Sequence, residues 1–304
     1  MMTTMTIPIV HHAPIPTWFG VGGGADQLAT PRDQAELLAC VRSDPGLRVL
    51  GAGANLLVDD DGVGELVVSL ASPAFQGTQW GAEVVRVGAG VDLPKLIVDA
   101  VRRGRAGIEG LGGIPATIGG ALVMNAGGAF GQIADCVLRV HAVSRDGREI
   151  TLERAAIPFG YRHSGLADLI LVGAELSLPP ADPAALRDKL KEVMAYKKNS
   201  QPMAENSAGC CFKNPTLDQT IRDAQGDIGE PGKRVSAGML IDRAGLKGLR
   251  VGGASVSPRH ANFLVTDAGA KARDVIGLIA EITRRVHDTF GVRLQPEVVI
   301  WRRA

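Results

Sequence analysis

The sequence predicts an α+β fold. Short apolar strand patterns recur along the chain, helical patterns fall between them at irregular intervals, and a proline-rich joint, PPADPAAL at 179–186, divides the run. Regular strand–helix alternation would indicate one doubly wound sheet, whereas irregular interspersion indicates α+β. A length of 304 residues allows two modest domains or one large one.

Each element has a local reason. PRDQAELLACVRSD (31–44) has helical spacing, with Leu37, Leu38 and Val41 on one face. LRVLGAGANLLVDDDG (47–62) reads as a buried strand, a glycine turn, a second strand and an acidic turn. GELVVSL (64–70) and EVVRVGAG (83–90) are strand patterns. DLPKLIVDAVRRG (92–104) opens on Asp92 as N-cap and closes on Gly104 after a basic turn, which predicts a helix. Strands follow in LRVHAVSRDGREITL, with an Asp146-Gly147 turn, and in LADLILVGAELSL. After the joint come a helix over 184–199, a strand around 210–212, a helix near 237–244 and a strand in ANFLVT (261–266). A long helix over 272–290 stops at Gly291, and PEVVIW (296–301) is the final strand.

Composition excludes several partners. The charges nearly cancel, 33 Lys+Arg against 32 Asp+Glu, so no overall field draws the chain to nucleic acid or an anionic membrane. Aromatic residues at 4% are too few for base-stacking platforms. The N-terminus lacks the basic and apolar regions of a signal peptide, and His11 and His12 stand in a lead-in with no assigned role. The longest uncharged run, 110–134, is interrupted by Pro115, Asn125 and glycines, which argues against a membrane span. Cys40, Cys136, Cys210 and Cys211 fit no disulfide framework and no metal spacing. A cytoplasmic protein without a metal is expected.

Glycine is abundant, at 39 residues, and concentrates in two loops, GAGAN (51–55) and GIPATIGGALVMNAGG (113–128). Two readings fit each loop: tight turns in a β-rich domain, or exposed N–H groups forming a concave anion site. The second loop has few side chains that could pack a helix. A Rossmann fingerprint does not fit the glycines. GVGGGA (20–25) follows prolines instead of a strand, and GAGANL runs into a strand instead of a helix.

Eight motifs together resemble one family. TWFGVGGGAD, GAGANLLVDDDG, GIEGLGGIPATIGGALVMNAGG, FGYRHSG, SAGCCFKNP, SAGMLIDRAGLKG, SPRHANFLV and LQPEVVIW follow one another over residues 17–301. Their order is similar to that of the UDP-N-acetylenolpyruvoylglucosamine reductase (MurB) family, and the short C-terminal part resembles its type II subgroup. The resemblance implies an FAD-binding domain of the vanillyl-alcohol-oxidase/PCMH type, in two subdomains over 17–180, after a lead-in at 1–16. It also implies an α+β substrate-binding domain over 183–304. FAD would be held by Gly51, Ala52, Gly53, Ala54, Asn55 and Leu56, and by Gly113, Ile114, Pro115, Thr117, Gly119, Gly120, Asn125 and Gly127. The implied reaction reduces UDP-N-acetylglucosamine enolpyruvate to UDP-N-acetylmuramate with NADPH, for peptidoglycan synthesis. A monomer with small-molecule partners is expected.

That chemistry sends hydride to C3 and a proton to C2 while charge spreads into the neighbouring carboxylate. Preorganised donors aimed at such charge are usually the largest protein contribution. By the resemblance, Arg162 in FGYRHSG holds the carboxylate, a task that suits a permanently charged bidentate guanidinium. Glu297 in LQPEVVIW works beside the enolate. Cys210 stands where the family usually has a serine that protonates C2. A thiol, with an ordinary pKa of about 8.5, is mostly protonated at neutral pH and can do the same. Lys198 matches a position near the substrate diphosphate, though Lys197 is adjacent, and Asn214 matches a substrate-contacting asparagine. If GCCFKN is extended, Cys210, Phe212 and Asn214 share one face, with Cys211 and Lys213 on the other. Cys211 is then a small core or back-side residue. His260 reads as a structural histidine or as a ligand.

Overall fold

A computed structural model describes residues 7–303. They form two compact units, and both are discontinuous in sequence. The first takes the chain up to Pro14, Ala25–Ala52 and Gly64–Lys197; the second takes Ile15–Gly24, Gly53–Val63 and Lys198 onward. The linear division expected at 180/183 follows the chain, whereas these units follow packing. Two causes are visible. Leu56–Val58 pairs in parallel with Val299–Trp301, which binds the glycine-turn segment to the C-terminus. The helix Pro183–Ser200 lies along Gly112, where an added Cβ would stand 3.4 Å from Val193 and still closer to Leu190.

The first unit is built on two sheets. A mixed four-stranded sheet runs Ile9–Ala13, Ala25–Ala29, Val67–Ser69, Arg48–Leu50. A five-stranded antiparallel sheet runs Glu149–Glu153, Val137–Val143, Ile170–Ser177, Val84–Gly88, Thr78–Trp80. His11 and His12 lie in the edge strand of the first sheet, with His11 opposite Gln27, so from residue 7 the expected lead-in is part of the fold. Its first six residues lie outside the described ones. The helix Leu93–Arg102 forms as predicted: Asp92 accepts from Lys95 N at 2.8 Å, and Leu93, Leu96, Ile97, Ala100 and Val101 are its buried stripe. The second glycine loop contains a helix that the sequence reading excluded, Ile118–Val123. Thr117 caps it, and its few large side chains, Ile118 and Leu122, are fully buried with Ala121.

In the second unit a three-stranded sheet, Arg250–Val251, Ala254–Val256, Leu264–Thr266, packs on the helix Ala272–Phe290. That helix buries Val275, Leu278, Ile279, Ile282, Val286 and Phe290 and ends at Gly291, whose φ of 71° suits a residue without Cβ. Its N-terminus is capped from far away. Asp60, in the acidic turn, accepts from Ala272 N at 2.8 Å and Arg273 N at 3.1 Å. Asp60→Ala should therefore lower stability by about 1 kcal/mol, the usual cost of losing a cap. Thermal melting checks this, and an unchanged Tm would show that the long-range cap contributes nothing. Among the described residues no helix is long and apolar enough to cross a membrane.

Candidate active site

In the first unit the start of the first glycine loop, Gly51, meets the second loop. A Cβ on Gly51 would stand 3.0 Å from Thr117 Oγ1, and one on Gly113 would stand 3.1 Å from Lys197 Cδ and 3.7 Å from its Nζ. Lys197 thus lies over the backbone of the second loop. Burial, then the charge of Arg162, lowers its pKa from 10.5 to about 8. Arg162 sits at the tip of a two-residue turn closed by Gly160 and His163, with its guanidinium 5.3 Å above the Tyr161 ring. Its φ is 52°, a left-handed conformation that is uncommon outside glycine. Lys198, singled out by the family resemblance, is exposed, and its carbonyl accepts from Arg259. The ammonium beside Arg162 and Gly113 belongs to Lys197.

The glycines have separate causes. Gly53, at φ 65°, admits Pro16, whose carbonyl oxygen would overlap any Cβ there. A Cβ on Gly119 would meet Ala89 at 3.2 Å, and one on Gly127 would stand 2.6 Å from Gln132 Cβ. The first N–H groups of the short helix are used within the chain: Ile118 donates to Val91 O, Gly119 to Ala89 O and Gly120 to Thr117 Oγ1. That helix end is therefore no anion site. What remains is the backbone on either side. Among the described residues no carbonyl accepts from N–H of Gly53 or Ala54 in the second unit, and in the first none accepts from N–H of Ala52, Gly113, Ala116 or Thr117. This donor set fits an anionic group such as the pyrophosphate of FAD. Ile114 packs on the core and Pro115 is half-exposed, while Leu56 begins a buried strand.

Two of the expected cofactor residues have side chains occupied elsewhere. Asn125 is 1% exposed; it donates to Gly160 O and to Gln132 Oε1, and it accepts from Ala134 N. Asn55 Nδ2 donates to Glu297 O at 3.1 Å. Any contact of Asn125 with a flavin would therefore come from its backbone.

In the second unit, Cys210 and Cys211 differ as expected in exposure. Cys211 is fully buried and Cys210 is half-buried. Burial first, then the neighbouring Cys210 and Glu297, pushes the Cys211 thiol up to about 12, so it stays protonated and inert. The expected strand is reduced to two isolated bridges, Cys210 with Phe263 and Phe212 with Pro296. Regular alternation fails at Cys211. Its N–H points to Asn262 O at 2.8 Å, while its C=O accepts from Glu297 N, on the other neighbour, at 2.7 Å. In a regular strand both groups of one residue point to one side. Phe212 therefore joins Cys211 in the core instead of sharing an open face with Cys210. Asn262 fixes this irregular backbone by accepting from Phe212 N and donating to Phe212 O. Glu297 is half-buried and tied by its backbone to Cys211 and Asn55. Asn214 Oδ1 accepts from Ala237 N at 3.0 Å at the start of the helix Ala237–Arg243.

Beside that helix lies a cavity of about 380 Å³ that the sequence reading missed. Arg243, Lys247, Arg259, His260, Ser236 and Gln225 line it, with Asp242 as its one carboxylate. These residues span 225–261, so their convergence is tertiary and leaves no local pattern. His260 has the structural one of its two expected roles. Its Nδ1 accepts from Asn262 N at 3.2 Å, and its ring packs 4.8 Å from Phe263. Burial lowers its pKa, and because Nδ1 accepts, the neutral ring carries its proton on Nε2. Arg243 is paired with Asp223 at 3.0 Å and Lys247 with Asp242 at 2.7 Å, while Arg259 donates to Lys198 O.

The chain matches two family models, an FAD binding domain over residues 25–153 and the UDP-N-acetylenolpyruvoylglucosamine reductase C-terminal domain over 201–301. It is 38% identical to the UDP-N-acetylenolpyruvoylglucosamine reductase of Syntrophobacter fumaroxidans, covering 96% of this chain and 82% of that protein. It is 40% identical to a reductase of the same name from Symbiobacterium thermophilum, over 92% of this chain and 87% of that one. Among solved structures, the reductase of Thermus caldophilus superposes with a TM-score of 0.79 at 38% identity, covering 97% of this chain and 99% of that one.

Proposed function

Because the chain belongs to the UDP-N-acetylenolpyruvoylglucosamine reductase family of FAD-dependent oxidoreductases of peptidoglycan synthesis, we propose that it reduces UDP-N-acetylglucosamine enolpyruvate to UDP-N-acetylmuramate with NADPH. The observation that carries the reading is the joint presence of its acid–base and cationic residues on distinct scaffolds. Arg162 projects from a constrained turn, and Cys210 is the accessible thiol of an adjacent pair.

Bound FAD supplies the hydride that C3 receives. Ala52, Gly53 and Ala54, with Gly113, Ala116 and Thr117, would hold its pyrophosphate through backbone N–H groups, while Gly51, Ile114 and Pro115 shape the two loops. Asn55, Leu56, Gly119, Gly120, Asn125 and Gly127 keep those loops in shape. Arg162 binds the substrate carboxylate and stabilises the negative charge that spreads into it. The Cys210 thiol gives its proton to C2 from the face where the carbanion forms, and Glu297 stands beside the same enolate. Cys211 takes no part. The cavity lined by Arg243, Lys247 and Arg259 receives the UDP end, and Asn214 and Lys198 contact the substrate, Lys198 near the diphosphate. The protein acts as a cytoplasmic monomer, where nucleotide sugar and NADPH are available.

Purified protein tests this directly. Bound yellow flavin, and NADPH oxidation that depends on the enolpyruvyl substrate, support the reading; oxygen-driven NADPH oxidation indifferent to substrate contradicts it. Lys197 adds a pH signature. Its ammonium is protonated below about 8 and neutral above it, so attraction for the anionic substrate is lost as pH rises through that value. We expect KM to climb between pH 7 and pH 9, roughly one unit to either side of the transition. Lys197→Arg, which stays charged, should flatten the climb. A rise of the same size in Lys197→Arg would exclude Lys197 as its source.

A further inference from the structure

We propose that Ser164 and Asn125 are positioning residues that together fix where the Arg162 guanidinium stands. The inference rests on the reductase reading, in which Arg162 meets the substrate carboxylate. The turn carrying Arg162 is closed by two backbone bonds, Gly160 N to His163 O at 2.9 Å and His163 N to Gly160 O at 3.2 Å. A two-residue tip of this kind needs anchoring before it can aim a long side chain. Two buried side chains provide the anchor, and they reach in opposite directions. Asn125 Nδ2 donates to Gly160 O at 2.8 Å, just before the tip. Ser164 Oγ donates to Val123 O at 2.7 Å, just after it, and accepts from Leu166 N at 3.2 Å. Segments 35 and 41 residues apart are thereby clasped on both sides of Arg162.

Backbone strain points to the same clasp. Asn125 and Arg162 are two of the three non-glycine residues with positive φ among the described residues, at 43° and 52°. Such conformations persist where the surroundings over-determine them. Each clasping side chain is only 1% exposed, so neither reaches a ligand itself, and both act through the arginine. Ser164 thus acquires the role that the FGYRHSG motif alone did not assign.

Ser164→Ala removes one side of the clasp without touching Arg162. Stopped-flow kinetics then follow the two half-reactions separately, in native and Arg162→Gly backgrounds. The expected result is loss of about 10- to 100-fold in substrate-driven flavin reoxidation, the scale of a misplacement of about 1 Å. NADPH-driven flavin reduction should stay within about twofold of the native rate. In the Arg162→Gly background the same change should have almost no further effect, because a group that acts through another is non-additive with it. Equal slowing of both half-reactions, no change in either, or full multiplication with Arg162→Gly would each overturn the proposal. If Ser164→Ala does not fold, Ser164→Cys, similar in volume but a weaker donor, gives the same comparison. Failure of the reductase reading looks different, since native protein would then form no product at all.

Discussion

Cys210→Ala is expected to reduce bound flavin with NADPH at the native rate and to form almost no UDP-N-acetylmuramate. The loss in the second half-reaction should be about a hundred- to ten-thousand-fold, the range for removing a positioned general acid. Cys210→Ser should remain active, because a hydroxyl at that position keeps a proton to give. The asymmetry between the cysteines strengthens the expectation. Cys211 is fully buried with its thiol pushed up to about 12, so Cys211→Ala should change stability and leave the half-reactions in their native ratio. Product formed equally by native protein and Cys210→Ala would remove the donor assignment.

Arg162→Gly should separate stability from activity. At φ 52° an arginine carries backbone strain that glycine does not. The variant is therefore expected to melt at or above the native temperature. Its rate of enolpyruvyl reduction should nevertheless fall by about a hundred- to a thousand-fold, the scale for losing one preorganised donor to developing negative charge. Arg162→Lys should recover little, since an ammonium cannot hold the carboxylate through two parallel bonds. A variant that loses activity only in step with its Tm would mark Arg162 as a scaffold residue.

What the sequence disclosed follows the range of the interactions involved. The helix at Leu93–Arg102 was legible because its cap, Asp92, and its stop, Gly104, are local. The helix Ile118–Val123 was not, because two glycines and small side chains conceal a helix that holds through Thr117 and three buried residues. The edge strand with His11 and His12 exists only through pairing with Ala25–Ala29. At the site, the difference between Cys210 and Cys211 was legible, but the fate of Phe212 was not, since Asn262 bends the backbone from fifty residues away. Lys197 and Lys198 could not be separated by counting, because spacing does not say which side chain a helix end turns over Gly113. The cations of the cavity converge from distant segments, which no motif length captures.

On the proposed reading, this chain passes hydride from a flavin to an enolpyruvyl ether. Anaerobic mixing of the reduced holoprotein with UDP-N-acetylglucosamine enolpyruvate tests it most directly. Recovery of the oxidised flavin spectrum, with one UDP-N-acetylmuramate formed per flavin, is the predicted result. A flavin that stays reduced until oxygen is admitted would contradict it.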